Sequence, residues 1–284
     1  MALNFIPTVW AARLLSALEK ALVYGQAGVV NREYEGEIQQ AGDSVKIATI
    51  GEITVADYTK DSDMTVQTLD DADQMLKIDQ QKYFNFVVDD IDRAQQNVNV
   101  MDEAMGRAGY KLKDLADQFI AASYLYAPTD TGIGDDTTPI AGLASNAAYE
   151  LLVNMKVKLD ERDVPTDGRK VIIPPFLHGA LLKDSRFVSA GTAATDARLA
   201  NGLVGRAAGF EVLISNNVPN TSSAKYKVIA LHPMGYSYAE QIVKVKTYDP
   251  EKRFGTGVKG LHVYGGKLVR PQAWCVATVN NAST

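Results

Sequence analysis

A single cysteine, Cys275, stands among 284 residues. One thiol excludes an intrachain disulfide and any zinc knuckle built from cysteines. Its setting in the apolar run WCVATV predicts a small buried hydrophobe. It also suits folding in a reducing cytoplasm. Histidine is nearly as scarce. His178, His232 and His262 lie far apart and lack the HExxH-type spacing of a zinc site. No stretch approaches the ~20 apolar residues needed to span a bilayer, so no membrane partner is expected. The first residues lack the basic opening of a secretory signal, and Glu19 and Lys20 interrupt the apolar stretch that begins near Trp10. A mature cytosolic start is the expectation. Positive charge is not in surplus either: 29 Lys and Arg against 34 Asp and Glu give a net charge of -5. This disfavours a dedicated duplex-DNA binder, which displaces counterions with a basic surface. There is no P-loop, no basic stripe with interleaved aromatics, no repeat and no low-complexity tract.

What is present is a globular composition, 46% hydrophobic and 22% charged. The length suits one large or two modest domains. Residues 8–24 place Trp10, Leu14, Leu18 and Leu22 on one stripe of a helix, with Gly25 as its stop. One stripe buries little by itself, so this arm needs a surface on the fold or on another subunit. Residues 44–88 alternate as β structure, at Val45 and Ile47, Ile53 and Val55, Leu76 and Ile78, then Phe84, Phe86 and Val88. A polar stretch from Asp57 to Asp63 separates them. The pattern predicts a long hairpin with a solvated tip. An isolated two-stranded ribbon is marginal in water, so its apolar face implies a docking surface.

The strongest periodicity runs from 97 to 127. Val98, Met101, Met105, Ala108, Leu112, Leu115, Phe119, Ala122 and Tyr126 alternate spacings of three and four, which predicts one face of a helix ~45 Å long. Asn97 is the expected N-cap and Pro128 the stop. Packing on a sheet is preferred over a coiled coil, because Ala108 and Ala122 are small and the flanks are rich in β pattern. Gly106 and Gly109 sit inside this helix at ~1 kcal/mol each relative to alanine. They mark either close packing or a bendable point. After a loop at 127–146, a second amphipathic helix carries Ala148, Leu152, Met155 and Leu159. A buried strand (Val171 to Ile173), a double proline, a short apolar helix and a second strand (Phe210 to Ile214) follow. Further strands are expected at 227–231, 236–238, 242–245 and 261–264, with a last apolar segment around Trp274.

Two motifs invite a chemical reading. Gly255, Gly257 and Gly260 match GxGxxG, but a dinucleotide site needs that loop to open a βαβ unit. The following LHVYGGKLV is strand-like, so a β-turn is expected and no cofactor. GYSYA, around Ser237, nearly matches a nucleophile elbow, with Asp249 and His262 in hydrolase order. The sequel QIVKVKTY alternates like a strand, where an elbow needs a helix. A small serine hydrolase using Ser237 is therefore the competing reading from another class. The expected assignments are no enzyme, no catalytic residue and no metal.

The words FIPTVWAARLLSALEK, VIIPPFLHGALLKDSRF and NGLVGRAAGFEV, in this order of elements, resemble the major capsid protein of tailed double-stranded DNA phages. The resemblance covers nearly the whole chain and rests on order and texture, since none of these words is catalytic. It implies an α+β chain with the Hong Kong 97-type capsid fold. Residues 1–43 would be an N-terminal arm and 44–88 the extended loop. Residues 89–162 would be the peripheral domain with spine helix 97–127, 163–235 the axial domain, and 236–284 the closing peripheral strands. The implied function is self-assembly through hexamers and pentamers into the icosahedral head shell around the genome. The implied partners are the chain itself, a separate scaffolding protein, a portal and a decoration protein, with packaged DNA met only non-specifically. Inter-subunit contacts are expected at Trp10, Leu14, Leu18, Tyr58, Lys60, Phe84 and Phe86, and bending of the spine at Gly106 and Gly109. A cellular nanocompartment shell (encapsulin) of the same fold is the alternative within the class.

Overall fold

The computed structural model describes residues 23–34, 44–50, 71–89, 100–128, 132–141, 147–184, 205–251 and 255–281, with the single residues 55, 57 and 130. Strand β5 (Lys170–Ile173) is KVII, a short apolar run with no polar alternation. Such a run suits a strand covered on both faces. It lies centrally in a seven-stranded sheet together with β4 (Ile140–Ala141), β6 (Arg206–Ala207), β7 (Phe210–Ile214), β8 (Asn220–Thr221), β9 (Lys225–Leu231) and β12 (Trp274–Asn280). The order is β4-β12-β9-β5-β7-β6, with β8 also on β9.

Helix α2 (Ala147–Asp160) and helix α3 (Pro175–Lys183) cover one face of this sheet. Leu151, Leu152, Met155 and Leu159 meet Val171, Ile173, Val228, Ala230, Cys275 and Ala277 there. Pro175 opens α3, where the missing N–H costs nothing. The opposite face, with Ile172, Ile229, Leu231 and Trp274, is covered by Ala116, Ile120 and Ala121 and by Tyr24, Val29 and Val30. Cys275 is fully buried, and burial pushes its thiol up to about 12.

A second, three-stranded sheet has the order β10-β11-β3, from β10 (Tyr236–Tyr248), β11 (Gly255–Leu268) and β3 (Gln80–Asp89). The strands expected at 236–238 and 242–245 are thus one, with a register irregularity between Ile242 and Lys244. The last strand, β12, joins the larger sheet, so residues 236–284 divide between two sheets. Strand β1 (Ser44–Ile50) pairs antiparallel with β2 (Asp71–Lys77), Val45 opposite Leu76. β3 leaves this hairpin and pairs with β11, Phe84 opposite Gly260. The expected hairpin therefore ends near residue 77, because β3 finds a longer partner in the C-terminal half. Val55 is 92% exposed and lies in no strand, while Ile53 lies outside the described residues.

The long helix α1 spans Val100–Ala121 and tightens into a 3-10 turn at Ala122–Tyr126. The positions expected before Val100 lie outside the described residues. Met105 and Leu112 are buried as expected, but Leu115 is 41% and Tyr126 77% exposed, and Ala122 is also exposed. The buried face runs instead through Gly109, Leu112, Lys113, Ala116, Asp117 and Ile120. The helix crosses from the small sheet to the large one, and its contact face turns with the surface beneath it.

The glycines of the GxGxxG match lie in strand β11 rather than in a turn. A Cβ at Gly260 would run into the Phe84 ring, and one at Gly257 into the Tyr248 ring. They are spaces for aromatic rings lying across the sheet, a use of strand glycine where another group must approach closely.

Candidate functional site

Ser237 is 2% exposed on β10, opposite Lys267. His262 sits opposite Ile242, five residues further along β10. Five strand residues cover roughly 17 Å, so the pair cannot share a proton. Asp249 is exposed beyond the end of β10. The hydrolase constellation does not assemble. Among the described residues no cluster of three or more His, Cys, Asp or Glu could hold a metal ion.

The chain instead presents surfaces. The inner face of the small sheet packs Phe84, Phe86, Val245 and Val258 against Met105 and Leu112 of α1. Phe84 and Phe86 are half-buried and stacked, 5.9 Å between centroids. The outer face carries Tyr83, 79% exposed, with Asn85, Val87, Lys246 and Lys259. Lys246 and Lys259 stand directly opposite in register, and among the described residues no carboxylate pairs with either. Like charges placed so are unfavourable. Lys259 Nζ lies 5.1 Å from the centre of the Tyr248 ring, whose hydroxyl donates to Asn85 Oδ1 at 2.8 Å. Further along, the base of the β1–β2 hairpin covers this face, with Val45, Ile47, Leu76 and Ile78 on Ala239 and Val263. Two more apolar side chains, Leu125 and Tyr126, stand 68% and 77% exposed at the end of α1. A cavity of about 550 Å³ lies beside this end, lined by Tyr124, Pro128, Gly134, Asp136, Lys227 and Thr278 among others.

Residues 23–34 are held by polar contacts that the pattern of the sequence did not reveal. Asp117 Oδ1 accepts the backbone N–H of Val23 at 3.0 Å and of Tyr24 at 2.9 Å. Asn31 adds a bridge to the edge of β10, donating its N–H to Tyr236 and accepting that of Tyr238. Arg32 pairs with Glu240, which also accepts the Tyr238 hydroxyl at 2.9 Å. His262 Nε2 lies 3.4 Å from Glu240 Oε2, without hydrogen-bond geometry. Burial pushes the Glu240 carboxyl up, but His262, Arg32 and Tyr238 outweigh it and hold the group below the usual range. At Asp117 the balance is opposite. Burial dominates and raises the carboxyl despite the hydrogen bonds from Tyr24, Asn217 and Val23.

Of the contact residues expected from the resemblance, Trp10, Leu14, Leu18, Tyr58 and Lys60 lie outside the described residues. Gly106 is exposed on α1 with open space where a Cβ would stand, and Gly109 is buried. The exposure of Tyr83 escapes the sequence pattern, because alternation draws attention to the apolar partner positions 84 and 86. A charged residue inside the buried face, as at Asp117, is a signal the sequence does carry. Its partners, more than 90 residues away, are not.

Residues 51–277 match the family model for phage capsid protein. The chain belongs to the phage capsid protein family. It is a structural major capsid protein rather than an enzyme, and it forms the shell of the phage head, in the virion. A solved structure from Mycobacterium phage Che8 is 32% identical to this capsid protein, with a TM-score of 0.72 over 87% of this chain and 88% of that one. The capsid structure of cyanophage P-SCSP1u is 17% identical, with a TM-score of 0.69 over 87% and 85%. A virus-like particle from Pyrococcus furiosus shares the fold at 15% identity, with a TM-score of 0.58 over 94% and 98%. No curated protein matches the capsid protein. The α+β Hong Kong 97-type fold expected from the sequence is the fold observed.

Proposed function

We propose that this capsid protein builds the head shell as hexamers and pentamers, with residues 1–43 and the hairpin part of 44–88, which ends near residue 77, reaching neighbouring copies. The axial assignment of 163–235 and the spine assignment of 97–127 belong to the same reading. A ring of subunits in head-to-tail contact closes by rotation, and the capsomer is such a ring. The observation that carries the reading is the half-covered small sheet. Tyr83 is 79% exposed beside Val87 at 37%, and Val55 at 92% belongs to the segment between β1 and β2. Scaffolding, portal and decoration proteins are the further partners of this reading, and packaged DNA is met without sequence preference. The net charge of -5 favours DNA that slides rather than sticks.

Electron microscopy and sedimentation of the purified protein test it. Closed shells or rings of five and six subunits are expected. Deleting residues 57–63 should leave the circular dichroism spectrum intact while shell closure fails. A stable monomer under all assembly conditions, or normal shells from the deletion variant, contradicts the reading. Protein cargo without DNA in native particles would favour the nanocompartment alternative.

A further inference from the structure

Asp117 lies on the buried face of α1 and is 3% exposed, yet it is spent on backbone N–H groups rather than on a cation. Successive N–H groups converging on a carboxylate form an anion-holding turn. Asn217 steadies the carboxylate from the other side, its Nδ2 lying 3.4 Å from Asp117 Oδ2 and 2.9 Å from Asp114 Oδ1. Eight residues along the chain from Tyr24, Arg32 is tied to Glu240 on β10 and also donates to the Gly25 carbonyl at 3.1 Å. Between the two fixings, Val29 and Val30 are fully buried, and Asn31 joins the sheet edge. A buried carboxylate is an expensive way to hold a loop. An apolar residue of similar volume often serves stability as well or better, while buried ionic groups are retained in some systems because they fix one geometry.

We propose that Asp117 and Glu240 are positioning residues for shell assembly. They form a two-point clamp on residues 23–32 that fixes where, and in which direction, the N-terminal arm leaves the body. This rests on the arm assignment of residues 1–43 proposed above. The clamp acts at the arm's root. Val23 is pinned at the long helix and Arg32 at the small sheet, so the root bridges the two bodies that α1 itself connects. With either fixing lost, the subunit keeps its two cores but its arm starts from a variable point, and copies no longer engage one another in register.

Three substitutions in the full chain test this: Asp117→Leu, Asp117→Asn and Arg32→Met. The leucine variant keeps a helix-forming residue and leaves the Val23 and Tyr24 N–H groups unpaired. The asparagine variant retains a carbonyl oxygen that accepts both. Native-state hydrogen exchange and electron microscopy are read on each. For Asp117→Leu, exchange at Val23 and Tyr24 should accelerate at least about tenfold, while the β5 and β9 amides keep their protection. Shells should become few or malformed. Asp117→Asn should restore most of both, and Arg32→Met should reproduce the assembly defect through the other fixing, leaving α1 untouched. Normal shells from Asp117→Leu or Arg32→Met overturn the clamp, as does unchanged exchange at Val23 and Tyr24. Should the leucine variant unfold globally, Arg32→Met carries the decision. Absence of shells from the unmodified protein counts against the assembly reading itself, while the exchange measurement still judges the clamp.

Discussion

The two sheets of this capsid protein are finished to different degrees. The seven-stranded sheet is covered on both faces by its own chain, α2 and α3 on one side, α1 and residues 23–30 on the other. The three-stranded sheet is covered by α1 on its inner face and only in part on its outer one. There Tyr83, Lys246 and Lys259 face outward. A sheet closed on both sides makes the subunit fold. A sheet left half open leaves area for contact with other molecules. The contrast separates a layer that holds the subunit together from one that keeps exposed area, the two joined by one helix; on the reading proposed above, that area serves assembly.

Substitutions should separate the layers. The largest effect is expected at Trp274, fully buried in the closed layer. Trp274→Ala should cost about 3–5 kcal/mol through lost burial and a residual cavity. A chemical denaturation midpoint measures this, and a loss below ~1 kcal/mol would erase the contrast.

An intermediate effect is expected from acid, with opposite signs at the two buried carboxylates. The Glu240 carboxyl is held below its ordinary value, so its contribution is present above the unfolded glutamate value and lost as pH falls through the lower folded one. Glu240→Gln should cost about 1–3 kcal/mol near neutrality and flatten the acid limb of the stability curve. Asp117 is raised, so the folded state holds the proton more tightly than the unfolded one. Its contribution falls as pH rises from the ordinary aspartate value through the raised folded value. Asp117→Asn should remove that decline. Denaturant titrations across pH decide both, and a shared sign for the two variants would contradict the assignment.

The smallest effect on folding belongs to the open face. Tyr83→Ser should change stability by less than about 0.5 kcal/mol, as surface substitutions do. Shell yield should nevertheless drop. A stability loss as large as that of Trp274→Ala would mean that this face is core after all.

Much of this was legible along the chain. The apolar run of β5, the α2 stripe at Ala148, Leu152, Met155 and Leu159, and the burial of Cys275 all follow from local pattern. The family resemblance was legible from the order of elements. The periodic stripe of α1 coincides with its buried face at Met105 and Leu112 and departs from it at Leu115, Ala122 and Tyr126. Periodicity gives the stripe of a straight helix on one surface, whereas α1 serves two surfaces in turn. The pairing of β3 with β11 was hidden for a related reason. Alternation at Phe84 and Phe86 identifies a strand but carries no record of its partner.

Local backbone preference and side-chain pattern acting over a few residues determined, by themselves, most of the helices and strands and which residues are apolar enough to be inside, though not that residues 255–260 are strand. Only the tertiary structure decided which strand meets which, that β12 closes the large sheet, and that the amides of Val23 and Tyr24 end on Asp117. The reason is physical. Periodicity is a property of neighbours along the chain, whereas a backbone amide or a sheet edge accepts any correctly placed partner, however distant in sequence, and leaves no mark of that choice on the residues beside it.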